Sequence, residues 1–142
     1  MKISLLITFL FCSRIVTAQL VPFYAAALDK YGYKDLHGEV VITPKYDFAW
    51  SFNEGMSPMK LNGKYGYVND RGVEVVPPTY DNALKFSDGL AVVKVGDKFG
   101  FIDKTGKLVV PAIYDRADIF HGDRANVCLK RKWSVMIYQT RK

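Results

Sequence analysis

Cysteine is almost missing from this chain: Cys12 and Cys128 are the two present in 142 residues, too few for the disulfide framework that holds many small secreted modules together. Histidine is as scarce. His37 and His121 stand far apart, so no zinc-type spacing of paired cysteines or histidines exists, and both are expected in loops. No uninterrupted apolar run approaches the ~18 residues that a membrane-crossing helix needs, which argues against an integral span. No block of about five or more like charges marks a disordered tail. A glycine-rich phosphate loop, a nucleophile-elbow serine and a helical His-Glu pair are all missing as well, which leaves the familiar catalytic motifs without a representative. What is present is ordinary for a folded domain: 49% hydrophobic, 24% charged and 14% aromatic residues,.

The N-terminus has the grammar of export. Lys2 supplies a positive start, residues 3–12 are apolar except for Ser4 and Thr8, and Val16-Thr17-Ala18 offers modest side chains where a signal peptidase cuts,. Residues 1–18 are therefore expected to be a signal peptide cleaved after Ala18, placing the protein in the periplasm, the cell envelope or the exterior. Phe11 before Cys12 is the wrong neighbour for a lipid-anchored cysteine. Cleavage removes Lys2 and Arg14 and lowers the formal charge from +6 to +4. The remaining basic residues bunch at one end, as Lys130, Arg131, Lys132, Arg141 and Lys142, rather than interleaving with aromatics along a face, so nucleic acid is not the expected partner. Cys128 is then the single thiol. It occupies the repeat position of Lys60 and Lys94, so strand alternation is expected to turn it to solvent, where it gives a route to a disulfide-linked dimer outside the cell.

Past residue 30 the chain repeats itself. Tyr31, Tyr65, Phe99 and Trp133 are spaced by 34 residues, and the segments between them align without a gap: Gly32, Gly66 and Gly100; Gly38, Gly72 and Gly106; Tyr46-Asp47, Tyr80-Asp81 and Tyr114-Asp115; Phe52, Phe86 and Phe120; Lys64, Lys98 and Lys132. A fixed period of this length is the mark of a repeat architecture. Units are expected at 31–64, 65–98 and 99–132, with a partial capping unit at 133–142 and an N-terminal lead at 19–30, helical or extended, that covers the first edge.

Period-two alternation shows what a unit contains. Ala91, Val93 and Val95 alternate with their neighbours, Gly96-Asp97 and the equivalent Asn62-Gly63 make two-residue hairpin links, and the next run reads Phe99 to Asp103,. A third run, Leu108-Val109-Val110, meets Pro111, expected to end the strand. The fold class is thus all-β, with tandem three-stranded antiparallel meanders stacked in an array. The glycine after each first aromatic is expected to leave room for an aromatic ring on its pleat face, and Asp47, Asp81 and Asp115 to initiate local turns.

Aromatic-Gly-aromatic, hydrophobic, Asp or Asn, turn glycine, Val-Val-Pro, Tyr-Asp, Ala and Phe in this order resemble the WG-repeat family, bacterial tandem β-repeats named for a Trp-Gly pair. The likeness runs from Tyr31 to about Tyr138 and is strongest in Tyr65-Gly66-Tyr67-Val68-Asn69 and Phe99-Gly100-Phe101-Ile102-Asp103. Tyr31, Tyr65 and Phe99 stand where the tryptophan would, while Trp133 keeps it but is followed by Ser134. The resemblance implies a repeat scaffold with a binding function.

Carboxylates at Asp115 and Asp118 are expected to serve turns, and neither a metal nor another cofactor is implied. The favoured reading is a non-catalytic module that binds a protein or an envelope component, and the rival is a small secreted hydrolase. A partner is expected to meet positions that vary between units. Trp50, Leu84 and Asp118 share one such position and Ser51, Lys85 and Ile119 the next, which nominates Trp50, Leu84 and Lys85 as the candidate contact residues, the alternative for Trp50 being packing against the N-terminal lead.

Overall fold

The computed structural model describes residues 19–139; the expected signal peptide with Cys12, and residues 140–142, lie outside the described residues. Hairpin-linked runs give four small antiparallel sheets. The first holds β1 (Val21–Ala25), β2 (Lys30–Lys34) and β3 (Val40–Tyr46), and the second β4 (Phe48–Ala49), β5 (Met56–Leu61), β6 (Lys64–Asn69) and β7 (Glu74–Tyr80). The third repeats this order with β8 (Asn82–Ala83), β9 (Leu90–Val95), β10 (Lys98–Asp103) and β11 (Leu108–Tyr114), and the fourth holds β12 (Arg116–Ala117), β13 (Arg124–Leu129) and β14 (Lys132–Ile137). The described residues contain no helix. The lead is extended rather than helical: β1 pairs residue for residue with β2 from Val21↔Lys34 to Ala25↔Lys30.

Local chemistry explains where each strand turns. Asn62 and Gly63 both have positive φ, 51° and 78°, which matches the right-handed twist of the β5–β6 hairpin. After β2, β6 and β10 the chain reverses on Asp35, Asn69 and Asp103. Each side chain accepts the N–H groups two and four residues on, from His37 and Glu39, Arg71 and Val73, and Thr105 and Lys107, at 2.9–3.1 Å,.

Two expectations fail for one reason. Pro111 does not end its strand: β11 continues to Tyr114, and β7 runs through Pro77 and Pro78 to Tyr80. Tyr65 pairs with Tyr80 and Tyr67 with Val76, so Gly66 alone faces Pro77, Pro78 and Thr79. The prolines sit in a bulge, where a backbone N–H is not required for the ladder. That bulge, and not an aromatic ring, is what the glycine accommodates. A Cβ on Gly66 would lie 2.3 Å from the Val76 carbonyl oxygen, and on Gly32 or Gly100 within 2.5 or 2.6 Å of the matching oxygens of Ile42 and Val110.

The sheets stack face to face, and the inner ones are buried on both sides. Ala91, Val93 and Ile102 of the third sheet pack back against Met56, Tyr67 and Val76 of the second, while Leu90, Val92, Phe101 and Val110 pack forward against Phe120, Ala125 and Val127. The first junction joins Leu20, Tyr33, Ile42 and Tyr46 to Ala49, Met59 and Val68. One edge-to-face aromatic pair recurs at every junction, as Tyr33–Phe52, Tyr67–Phe86 and Phe101–Phe120, with centroids 5.0, 5.0 and 5.1 Å apart. Such a pair adds roughly 0.5–1.5 kcal/mol to its burial, so the repeated phenylalanine is the clasp between consecutive sheets.

Candidate functional site

The repeated polar residues are taken up by the scaffold. Lys30 pairs with Asp47 at 2.5 Å, and Lys64–Asp81 and Lys98–Asp115 repeat the contact. Each carboxylate also holds the hairpin of its neighbouring strands: Asp81 accepts the Gly96 N–H and Asp115 that of Lys130, both at 2.7 Å. These aspartates therefore secure distant turns instead of initiating their own. The lysine hydrogen bond, joined by the turn N–H groups, holds all three carboxyls below their ordinary value,.

A second set of contacts runs from unit to unit along the array. Asn53 Nδ2 donates to the Phe86 carbonyl, and Ser87 Oγ donates to that of Phe120 at 2.7 Å. Glu54 accepts the N–H groups of Asp88 and Gly89 at 2.6 and 3.0 Å, and Asp88 in turn accepts that of Gly122 at 2.7 Å. Burial pushes the Glu54 carboxyl up, but these N–H groups and Lys104 outweigh it and hold the group below its usual range. Buried tyrosines are satisfied too. Tyr33 meets Ser57 Oγ at 2.8 Å and Tyr67 donates to the Leu84 carbonyl at 2.6 Å; burial pushes the Tyr33 phenol up to about 12.

The varying positions lie together on one flank. Trp50, Ser51, Pro58, Asn82, Ala83, Leu84, Lys85 and Ile119 line a groove of about 460 Å³, so the structure brings all three nominated residues to one place. Leu84 and Lys85 are exposed and Trp50 is half-buried. The floor is fixed because Ser57 Oγ donates to the Trp50 carbonyl at 2.6 Å. Beyond Trp50 the groove opens onto a chain of rings that sequence reading missed: Tyr24, Tyr31, Phe48, Trp50 and Tyr65, with successive centroids 5.1, 4.9, 4.3 and 5.7 Å apart. Lys60 lies over the Tyr65 ring. The missed signal was positional, since Phe48 occupies the place of Asn82 and Arg116 and varies as Trp50 does. Along this flank the surface thus changes from aromatic at Phe48 and Trp50, through Asn82 and Leu84, to charged at Arg116 and Asp118.

Other candidates separate. His37 and His121 are exposed in different turns. Asp115 is engaged by Lys98 and the Lys130 N–H, while Asp118 accepts from Asn126 Nδ2 at 3.3 Å, so the two carboxyls serve different contacts. Among the described residues no group of three or more His, Cys, Asp or Glu is placed to hold a metal ion, and no helix is long and apolar enough to cross a membrane. Cys128 overturns its expectation: it is 6% exposed. In register it lies between Arg116 and Trp133, whose side chains share its face, and a short thiol is sheltered where the longer Lys60 and Lys94 reach outward. A disulfide dimer through it has no support in this geometry.

Comparison with known proteins fits the repeat geometry. The family model for the WG containing repeat matches residues 31–65, 65–99 and 99–133. No curated protein and no solved structure matches the chain.

Proposed function

We propose that this chain, which belongs to the WG containing repeat family, is an exported, non-catalytic interaction module of the bacterial envelope or exterior, and that the flank around Trp50 is its contact surface. One observation carries the reading: repeated polar residues are spent on sheet-to-sheet bonds, whereas Trp50, Leu84 and Lys85, free of that duty, converge on a single groove. A half-buried tryptophan held by Phe48 and Tyr65 is pre-ordered, so little side-chain entropy is lost when a partner covers it. The neighbouring Lys85 adds a charge that favours an acidic contact on that partner. Export rests on the pattern of residues 1–18 and brings the module to the same compartment as envelope components.

Trp50→Ala and Leu84→Ser, set beside the native chain, test the surface. Capture of envelope components by the purified protein is expected to fall tenfold or more in both variants, about 1.4 kcal/mol, with Leu84→Ser, at an exposed side chain, melting within about 3 °C of the native chain. Unchanged capture in both variants would remove the groove as the site. Mass measurement on the secreted product is expected to give a chain beginning at Gln19, and an intact Met1 would remove export.

A further inference from the structure

The Trp50 groove combines unanswered cations with walls whose backbone is already bonded. It lies inside the array: Trp50 and Ser51 come from the segment before β5, Asn82 to Lys85 from the segment before β9, and Ile119 from the segment before β13. No acid lines it. Lys85 is exposed on one wall, and Lys60 Nζ lies 5.4 Å from the centroid of the Tyr65 ring, which the Trp50 ring also approaches, at 5.7 Å. Neither lysine meets a carboxylate among the described residues. The acids nearby in the fold are taken. Asp81, beside Asn82, is held by Lys64 and the Gly96 N–H, and Asp118, in the cavity that shares Leu84 and Ile119, accepts from Asn126 Nδ2 at 3.3 Å.

The walls leave a peptide little to hold. The Trp50 N–H donates to the Pro58 carbonyl at 3.2 Å and the Leu84 N–H to that of Val92 at 2.9 Å, while the Trp50 and Leu84 carbonyls accept from the Ser57 and Tyr67 hydroxyls. An extended peptide laid there meets no continuous ladder for its own N–H and C=O groups. A sugar needs none, because its C–H faces settle on the negative face of an aromatic ring and its hydroxyls meet isolated side-chain groups. Those groups are the Ser51 hydroxyl and Nδ2 of Asn82, whose Oδ1 accepts the Ala83 N–H at 2.8 Å. The rings also follow one another from Tyr31 in the first sheet to Phe48 and Trp50 in the second, across the strands, which is a course for a linear polymer and not for an added strand. A volume of about 460 Å³ holds a few sugars,. We infer, on the reading of the Trp50 flank as the contact surface, that the groove binds an acidic polysaccharide, with a sugar ring against Trp50 and carboxylates at Lys60 and Lys85.

Calorimetric titration of the mature chain with tetragalacturonate tests it, beside the same tetramer methyl-esterified at its carboxyls and a tetraglutamate peptide. The acidic sugar is expected to bind roughly tenfold more tightly than either. Trp50→Ala is expected to weaken it by roughly tenfold and Lys60→Gln and Lys85→Gln by roughly threefold each. The two lysine changes together erase the preference for acid over ester, whereas Lys107→Gln, outside the groove, alters nothing. Lys85 is exposed, so its variant keeps the test alive where Trp50→Ala unfolds, and circular dichroism checks each. Equal binding of acid and ester, no binding of the tetramer, or a loss with Lys107→Gln as large as with Lys85→Gln overturns the inference. Tighter binding of tetraglutamate overturns it too, yet leaves the groove as a contact surface, as does capture of envelope components that falls with Trp50→Ala but survives prior removal of glycans from the extract. Capture indifferent to both Trp50→Ala and Leu84→Ser removes the surface itself.

Discussion

Replacing Gly66 by alanine adds one methyl group, and the structure says it is among the costliest methyls in the protein. Gly66 lies in extended backbone without positive φ, so conformational preference plays no part. The new carbon would sit 2.3 Å from the Val76 carbonyl oxygen, 2.8 Å from the Pro77 carbonyl carbon and 2.9 Å from the Pro78 nitrogen. All three atoms are backbone, in a segment stiffened by two prolines, and ordinary contact begins near 3.4 Å; the bulge must retreat by about 1 Å. That retreat adds overpacking of roughly 1–3 kcal/mol to the loss of about two ladder hydrogen bonds around Tyr65↔Tyr80 and Tyr67↔Val76, at roughly 1 kcal/mol each. The expected cost is about 3–5 kcal/mol, a large part of a typical total of roughly 5–15. Urea unfolding followed by Trp50 fluorescence, in a Trp133→Phe background, reads it directly, because Trp50 lies 5.7 Å from Tyr65. The control is Gly63→Ala, where φ is +78° and nothing lies within 4 Å; its cost is conformational, about 1–2 kcal/mol. A Gly66→Ala cost no larger than that of Gly63→Ala would refute the bulge as the reason for the repeated glycine.

Acid should unfold the array from its carboxylates. Asp47, Asp81, Asp115, Glu54, Glu74 and Asp103 are all held below their ordinary values, so their stabilisation is complete above the unfolded values and is lost as pH falls through the folded ones. The melting temperature is expected to be level between about pH 5 and 7 and to fall below about pH 4, and a rise on acidification would contradict the assignment. The β13–β14 hairpin carries Lys130 and Arg131 at φ 51° and 64°, both strained for side chains with a Cβ. Lys130→Asn with Arg131→Gly, the pair found at residues 62 and 63, is expected to raise stability by about 1–2 kcal/mol, and a lower melting temperature would show that the two side chains hold something the turn needs.

Composition and spacing made the period, the strands and the hairpin turns legible, because a residue's own φ and its alternate neighbours decide those. Less was legible where one residue answers another far along the chain. Pro77 and Pro78 look like a stop, and only the pairing of Tyr65 with Tyr80 shows that the strand resumes beyond them. Lys64 and Asp81 both repeat, yet nothing local says that they meet. Cys128 was placed on the right row and still misjudged, since access depends on Arg116 and Trp133 across the sheet. Variation between units singles out Trp50, Leu84 and Lys85, and the fold brings them to one groove. Its ring neighbours, from Tyr24 to Phe48, needed the fold to bring them into line.

The bonds from Asn53 to Phe86, Ser87 to Phe120, Glu54 to Asp88 and Asp88 to Gly122 act as a ruler for the genetic history of the chain. Each spans one unit to within a residue, so a single codon inserted between two turns misaligns the donors and acceptors at that junction and shifts the aromatic clasp with them. A copy of the first or second unit keeps the spacing: its Asn or Ser and its acid, the counterparts of Asn53 with Glu54 or Ser87 with Asp88, stand one unit from the next carbonyl and N–H as the old ones do. Selection on such a molecule tolerates growth and shrinkage in full steps and resists fractions of a step. An array of this kind therefore changes length by counting.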